Sequence, residues 1–132
     1  METRGADSLA ESIRAGQIVT LPGITSIARS LGVTRVSDKT WEFAQREKVK
    51  SVVLSDAQAA MACVRLAAEE KIIVEPACGV SVAACYHDIL QKTVPNFNKK
   101  SRVVIIVCGG EFSISCFIPQ ETCVDFPCQA VY

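Results

Sequence analysis

An excess of either charge is the first thing this sequence lacks, since fourteen basic residues face fourteen acidic ones in a chain of 132. Without a net field the chain has no long-range means of steering toward nucleic acid or an anionic membrane, and neither is expected as a partner. Its one local basic pair, Lys99-Lys100, follows the turn-like Pro95-Asn96-Phe97-Asn98 and reads as a solvated loop rather than a phosphate site. Metal-binding pairs are missing too: no Cys-x-x-Cys occurs, and the one histidine, His87, sits between Tyr86 and Asp88 in a helical stretch. Zinc is thereby excluded as the expected cofactor. The seven cysteines are an odd number without a secretion signal, which points to free thiols in a reducing compartment and away from a disulfide framework. The opening Met1-Glu2-Thr3-Arg4-Gly5-Ala6-Asp7 is neither a charged-then-apolar signal nor an Arg/Ser-rich transit peptide, so a cytoplasmic location is expected.

What is present is a 49% hydrophobic content, enough for the core of one soluble domain but not for a membrane protein. Ser8 to Ala15 places Leu9, Ile13 and the alanines on one helical face, with Gly16 as a C′ stop. Gln17 to Leu21 reads as extended until Pro22-Gly23, after which Thr25 or Ser26 caps a helix through Arg29 that ends near Gly32. Ser37 or Asp38 caps the next helix, which carries Trp41, Phe43 and Ala44. Val52-Val53-Leu54 is a short buried strand, and Ser55-Asp56 opens a long helix through Glu70 in which Ala57, Ala60, Met61, Val64 and Ala68 recur with helical period.

Lys71 to Val74 forms a brief extended link. Pro76 to Lys92 reads as a further helix whose small face, Ala77, Val80, Ala83 and Ala84, suits close packing on a sheet. Within it Cys78 and Cys85, like Cys63 in the helix before, fit apolar patterns where cysteine acts as a small hydrophobe. Arg102 to Val107 is the next strand. Strands alternating with helices, without hairpin signals, predict an α/β fold: a mainly parallel sheet with flanking helices, whose ligands bind outside the carboxyl ends of the strands.

Two stretches mark such a site. Val74-Glu75-Pro76-Ala77-Cys78-Gly79 is one, and the apolar run Val103 to Val107, stopping at Cys108-Gly109-Gly110, is the other. A β-branched run that ends in a small polarizable residue and glycines is how a buried strand delivers one side chain to a ligand. The stretch from Phe112 to Tyr132 breaks the pattern, with no helical period, two prolines and three cysteines where an α/β fold would place a helix. Residues 1–110 are therefore read as one portion of a domain and 111–132 as a divergent, irregular tail.

Met1-Glu2-Thr3-x-Gly5-Ala6-Asp7, Leu21-Pro22-Gly23-Ile24-Thr25-Ser26-Ile27-Ala28-x-Ser30-Leu31-Gly32-Val33, Glu75-Pro76-Ala77-Cys78-Gly79 and Val103-Val104-Ile105-Ile106-Val107-Cys108-Gly109-Gly110 together carry a resemblance. In order and nearly in register, they resemble the L-serine dehydratase (L-serine/L-threonine ammonia-lyase) family. These are pyridoxal-phosphate enzymes of the tryptophan synthase β-like fold, homodimers that eliminate ammonia from L-serine or L-threonine. The resemblance covers the C-terminal part of that family's chain only. It implies that the lysine forming the Schiff base with the cofactor, together with the loops that bind substrate carboxylate and cofactor phosphate, belongs to a portion not matched here. The seven lysines present, Lys39, Lys48, Lys50, Lys71, Lys92, Lys99 and Lys100, stand in charged helix ends or loops, where an amine stays protonated and is a poor nucleophile. Met1 falls on an internal methionine of the family motif, so the expectation is a truncated chain without stand-alone activity, or an inactive fragment that associates with a full-length homologue. No catalytic residue is assigned.

The resemblance also implies roles. Cys108 matches the thiol that contacts the pyridine nitrogen of the cofactor, with Gly109 beside it; on residue type alone, Cys108 is a small residue at a strand end. A neutral thiol cannot protonate that nitrogen, which favours β-elimination over reactions needing a long-lived carbanion. Glu75 lies on the cofactor side in the family, and a structural role before Pro76 is the other reading. Glu2 and the backbone carbonyls of Ala6, Leu31 and Val33 match the ligands of a monovalent cation such as potassium, for which oxygen-only ligation is suited. By residue type alone, Glu2 is a solvated terminal carboxylate, poorly anchored one residue from the start. The chain departs from the family at Glu111-Phe112, where a small or polar pair is usual.

Overall fold

The computed structural model describes residues 1–86 and 88–108. In chain order its elements are β1 (Glu2–Thr3), α1 (Ser8–Ala15), a 3-10 turn (Arg29–Leu31), α2 (Asp38–Ala44), β2 (Val53–Leu54), α3 (Asp56–Glu70), α4 (Pro76–Tyr86) and α5 (Ile89–Thr93). β1 and β2 pair in parallel, Glu2 opposite Val53 and Thr3 opposite Leu54. The Glu2 N–H donates to the Val52 carbonyl at 2.8 Å and the Arg4 N–H to that of Leu54 at 2.9 Å. This is the parallel sheet expected from the sequence, reduced to two strands among the described residues.

Local chemistry explains where the helices start and stop. α1 ends at Gly16, whose φ of 69° is the left-handed conformation that a residue without Cβ adopts freely. At α2 the Ser37 hydroxyl accepts the Thr40 N–H at 3.1 Å, as a serine N-cap should. α3 opens with a reciprocal box, in which the Ser55 hydroxyl accepts the Gln58 N–H and the Gln58 side chain accepts the Ser55 N–H at 3.0 Å. Pro76 takes the first position of α4, where its missing N–H has no partner to lose. No helix among the described residues is long and apolar enough to cross a membrane.

Four expectations need correction. The helix sought from Thr25 or Ser26 to Arg29 is only the 3-10 turn Arg29–Leu31, because the Ser26 hydroxyl is engaged with Thr3 and Asp56 and does not cap a helix. The single helix from Pro76 to Lys92 divides into α4 and α5; His87, between them, lies outside the described residues. α3 is present, but it buries Ala59, Ala62, Cys63 and Leu66, while Ala57, Met61, Val64 and Ala68 are exposed. The helix carries two apolar stripes, and α4 selects the one that admits closer approach. Finally, Arg102 to Val107 forms no regular element and finds no strand partner among the described residues. Ile105 alone packs on the core, and Val104 stands 90% exposed.

The core joins Leu54, the buried face of α3, Val74 and the α4 residues Cys78, Val80, Val82 and Ala83. α4 is apolar on nearly all sides, which suits a helix enclosed by its neighbours. At its centre Gly79 is irreplaceable: a Cβ there would lie 2.4 Å from the Ala59 carbonyl oxygen and 2.4 Å from Cys63 Sγ. Backbone is one of the two obstacles, so the side chain cannot simply turn away. Gly79→Ala is expected to lower stability by about 1–3 kcal/mol through overpacking, measured as the shift of the denaturant midpoint; a midpoint within error of wild type would refute the close approach.

Candidate functional site

Two polar constellations stand out, one at each place where the sequence motifs fall. The first ties the N-terminal segment to three other elements. Glu2 is 8% exposed. One carboxylate oxygen accepts the Leu9 N–H at 2.9 Å, the other accepts the Ala10 N–H at 3.0 Å and also bonds the Ser51 hydroxyl. These N–H groups are unpaired donors of the first turn of α1, and the negative charge sits at the positive end of that helix. Asp7, directly before the helix, supplies no such cap; its carboxylate instead accepts the Gly5 N–H at 3.1 Å. Glu2 is therefore firmly anchored, and the solvated-carboxylate reading is withdrawn.

Next to it runs a hydrogen-bond chain that sequence reasoning missed. The Ser26 hydroxyl donates its one proton to Asp56 at 2.6 Å, so in the 2.7 Å contact between the Thr3 and Ser26 hydroxyls the proton belongs to Thr3. The Ala28 N–H donates to Ser26 at 3.0 Å, and the Ile27 N–H to Asp56 at 3.2 Å. Thr3 is wholly buried and Ser26 nearly so. Asp56 heads α3, where the helix end stabilises its charge. No spacing in the sequence links residues 3, 26 and 56.

Of the proposed cation ligands, Ala6 is buried, Leu31 is half-buried against the core and Val33 is 56% exposed. The Glu2 oxygen facing Leu9 accepts a single bond and keeps acceptor capacity. No group of three or more His, Cys, Asp or Glu side chains among the described residues could hold a metal ion. An open cleft of about 750 Å³, lined by Ala10, Arg14, Val49, Lys50, Ser51 and Lys92 among others, contains none of the candidate site residues Glu2, Ala6, Leu31, Val33, Glu75 and Cys108.

The second constellation brings Glu75 and Cys108 together. The Cys108 N–H donates to Cys78 Sγ at 3.0 Å. The Cys108 thiol is pushed up in pKa, first by its hydrogen bond to Cys78, then by the neighbouring Cys78 and by burial, and last by the negative charge of Glu75. Its neutral form is thus favoured. Cys63 is pushed up as well, by burial above all and then by Cys78. Glu75 is held where its carbonyl accepts the N–H groups of Cys78 at 3.0 Å and Gly79 at 2.9 Å, at the first turn of α4. Cys78, taken from the sequence as packing, is the hinge of this arrangement; its place in Glu75-Pro76-Ala77-Cys78-Gly79 was the available signal. Gly109 lies outside the described residues. All seven lysines are exposed, and Lys39, Lys50 and Lys71 donate to Glu42, the Thr93 carbonyl and the Ala68 carbonyl.

Glu2→Ala strips the caps from Leu9 and Ala10 and is expected to lower stability by about 1–3 kcal/mol, with Glu2→Gln, which keeps one acceptor, losing less; equal melting temperatures would refute the cap. Because its pKa is raised, Cys108 should be alkylated by iodoacetamide at pH 8 more slowly than an unperturbed thiol, and Cys78→Ala should speed the reaction by removing the largest cause.

Comparison with known proteins bears on both constellations. Residues 1–109 match the family model described as pyridoxal-phosphate dependent enzyme. The chain is 43% identical over 113 residues to L-serine dehydratase/L-threonine deaminase of Bos taurus, covering 83% of this chain and 35% of that protein. It is 43% identical over 131 residues to a serine dehydratase-like protein of Mus musculus, covering 97% and 40%. Among solved structures, a fungal L-serine ammonia-lyase from Rhizomucor miehei superposes with a TM-score of 0.80 at 29% identity, over 87% of this chain and 37% of that one. Maize serine racemase gives 0.74 at 30% identity, over 87% and 34%. The chain thus spans little more than a third of the length of these relatives, and over that part it has the tryptophan synthase β-like α/β fold. A family match through every described residue, with the backbone following two solved enzymes of that kind, leads to one assignment: the chain belongs to the pyridoxal-phosphate dependent enzymes.

Proposed function

We propose that this chain supplies the ring-nitrogen wall of a pyridoxal-phosphate pocket in an L-serine and L-threonine ammonia-lyase, which turns L-serine into pyruvate and ammonia. The observation that carries this reading is the Cys78–Cys108 contact, which holds a neutral thiol at the end of the Val103–Val107 run. When bound, pyridoxal phosphate draws electrons from the substrate α-carbon, so that the α-proton and the β-hydroxyl can leave. Cys108 would face the ring nitrogen with a thiol that keeps its proton. Cys78 and the nearby Glu75 charge keep that proton on sulfur.

The donors present suit the ring-nitrogen end of the cofactor and not its covalent end. Every lysine is exposed, and on this reading none of them is the anchoring amine. A monovalent cation such as potassium is held by the carbonyls of Ala6, Leu31 and Val33 with the remaining acceptor capacity of Glu2, bracing the segment that begins β1. A second reading, an inactive chain that associates with a full-length homologue, is favoured by the run 103–107, which has no strand partner among the described residues and whose Val104 and Ile106 are 90% and 76% exposed.

Titration with pyridoxal phosphate, followed by borohydride reduction and peptide mapping, tests this. Reduction should label no single lysine preferentially; a specific adduct at one lysine overturns the reading that none of them is the anchoring amine. Cys108→Ala should weaken cofactor binding about two- to twelvefold, the worth of one net hydrogen bond of about 0.5–1.5 kcal/mol. An unchanged dissociation constant removes Cys108 from the pocket.

A further inference from the structure

Cys78 and Cys108 are thirty residues apart in sequence and in contact in space. The Cys108 N–H lies 3.0 Å from Cys78 Sγ. With an N–Cα bond of about 1.46 Å, the Cys108 Cα lies within about 4.5 Å of the Cys78 sulfur, so the Cys108 side chain starts beside that sulfur. The two partners differ in access and in freedom. Cys78 is 4% exposed on α4, whereas Cys108 is exposed. Cys108 ends a segment without strand partners among the described residues, with Ile105 its only half-buried side chain. Such a segment can adjust to let the bond form, while α4 remains fixed by the core. None of Cys63, Cys78, Cys85 and Cys108 is in a disulfide.

We propose that Cys78 and Cys108 are a reversible dithiol–disulfide pair, a modification site for peroxide at the end of the Val103–Val107 run. The Cys108 thiolate attacks one oxygen of hydrogen peroxide; an S–O bond forms, the O–O bond breaks, and the departing hydroxide takes a proton to become water. Cys78 Sγ then attacks the Cys108 sulfenic sulfur; the S–S bond forms, the S–O bond breaks, and the Cys78 proton leaves with the oxygen as a second water. Two thiols lose two electrons and one peroxide becomes two waters. Cys108 reacts first because it is the accessible partner, and Cys78 resolves because it already touches Cys108. The raised Cys108 pKa keeps the pair quiet near neutrality and makes its oxidation faster as pH rises. Once bridged, the Cys108 sulfur has no proton to share with a ring nitrogen. That last consequence rests on the proposed function; the bridge itself does not.

The test uses the full chain carrying Cys85→Ser, without cofactor. Cleavage after Lys, Arg and Glu then leaves Cys78 as the only cysteine of peptide 72–92 and Cys108 as the only one of peptide 103–111. Hydrogen peroxide should link these two peptides, two hydrogens lighter than their sum, and dithiothreitol should separate them. The rate should rise about tenfold per pH unit below the titration of Cys108. In the further variant Cys78→Ser, Cys108 should proceed to sulfinic acid instead. Sulfinic acid at Cys108 with Cys78 intact would overturn the proposal, as would a bridge from Cys108 to any other cysteine. Because the link is read without cofactor, its absence leaves the proposed function standing, and a failure to bind pyridoxal phosphate leaves the link standing.

Discussion

The structure depends on one close approach. α4 lies against α3 at Gly79, where the Ala59 carbonyl and Cys63 Sγ occupy the space a side chain would need. The arrangement around Cys108 follows from that distance. It buries Cys78 one residue earlier, fixes the first turn of α4 on the Glu75 carbonyl, and aims Cys78 Sγ at the Cys108 N–H. Small residues line this crossing because only they permit helix backbones to approach so nearly. Dispersion attraction between close-packed atoms is individually small and collectively large, and the alanines and valines of the core supply it with little loss of side-chain freedom.

Much of the local grammar was legible in the residues. Gly16, Ser37 and Ser55 mark helix ends through chemistry that acts within three or four residues, and each ends or begins its helix as read. Reading failed where the decisive partner is distant in sequence. Ser26 looked like a cap because its hydroxyl can accept an N–H, but Thr3 and Asp56 claim that hydroxyl from 23 and 30 residues away. On α3 the stripe through Met61 and Val64 is as apolar as the one that is buried, and the choice between them lies with Gly79 on another helix. The run 103–107 has the composition of a central strand, yet a strand requires neighbours, and the described part of this chain offers none.

The site was legible in the same uneven way. Cys108 and Glu75 are marked by a β-branched run ending at small residues and by a resemblance over residues 1–110, and the Glu75 charge acts on the Cys108 thiol. Cys78 was read as filler because a cysteine in an apolar helix usually is; its function is visible only from the residue it touches. Glu2 shows the converse. Its residue type and position suggested an exposed acid, but burial between α1 and Ser51 makes it the electrostatic brace of the N-terminal segment. A carboxylate there serves both readings of Glu2, since a charge that caps a helix can still offer a lone pair elsewhere.

The pairing of β1 with β2 has a consequence for the order in which this chain gains its shape. Two residues on each strand join positions 2–3 to 53–54, closing a loop of about fifty residues for very few hydrogen bonds. Loop closure over that length costs about 3.5 kcal/mol in chain entropy, more than so short a ladder returns. The helical hairpin of α3 and α4, by comparison, closes over the short link 71–75. The N-terminal segment is therefore a late arrival, docking onto a hairpin already in place, and the buried Glu2 and Thr3 are the latch that records its completion.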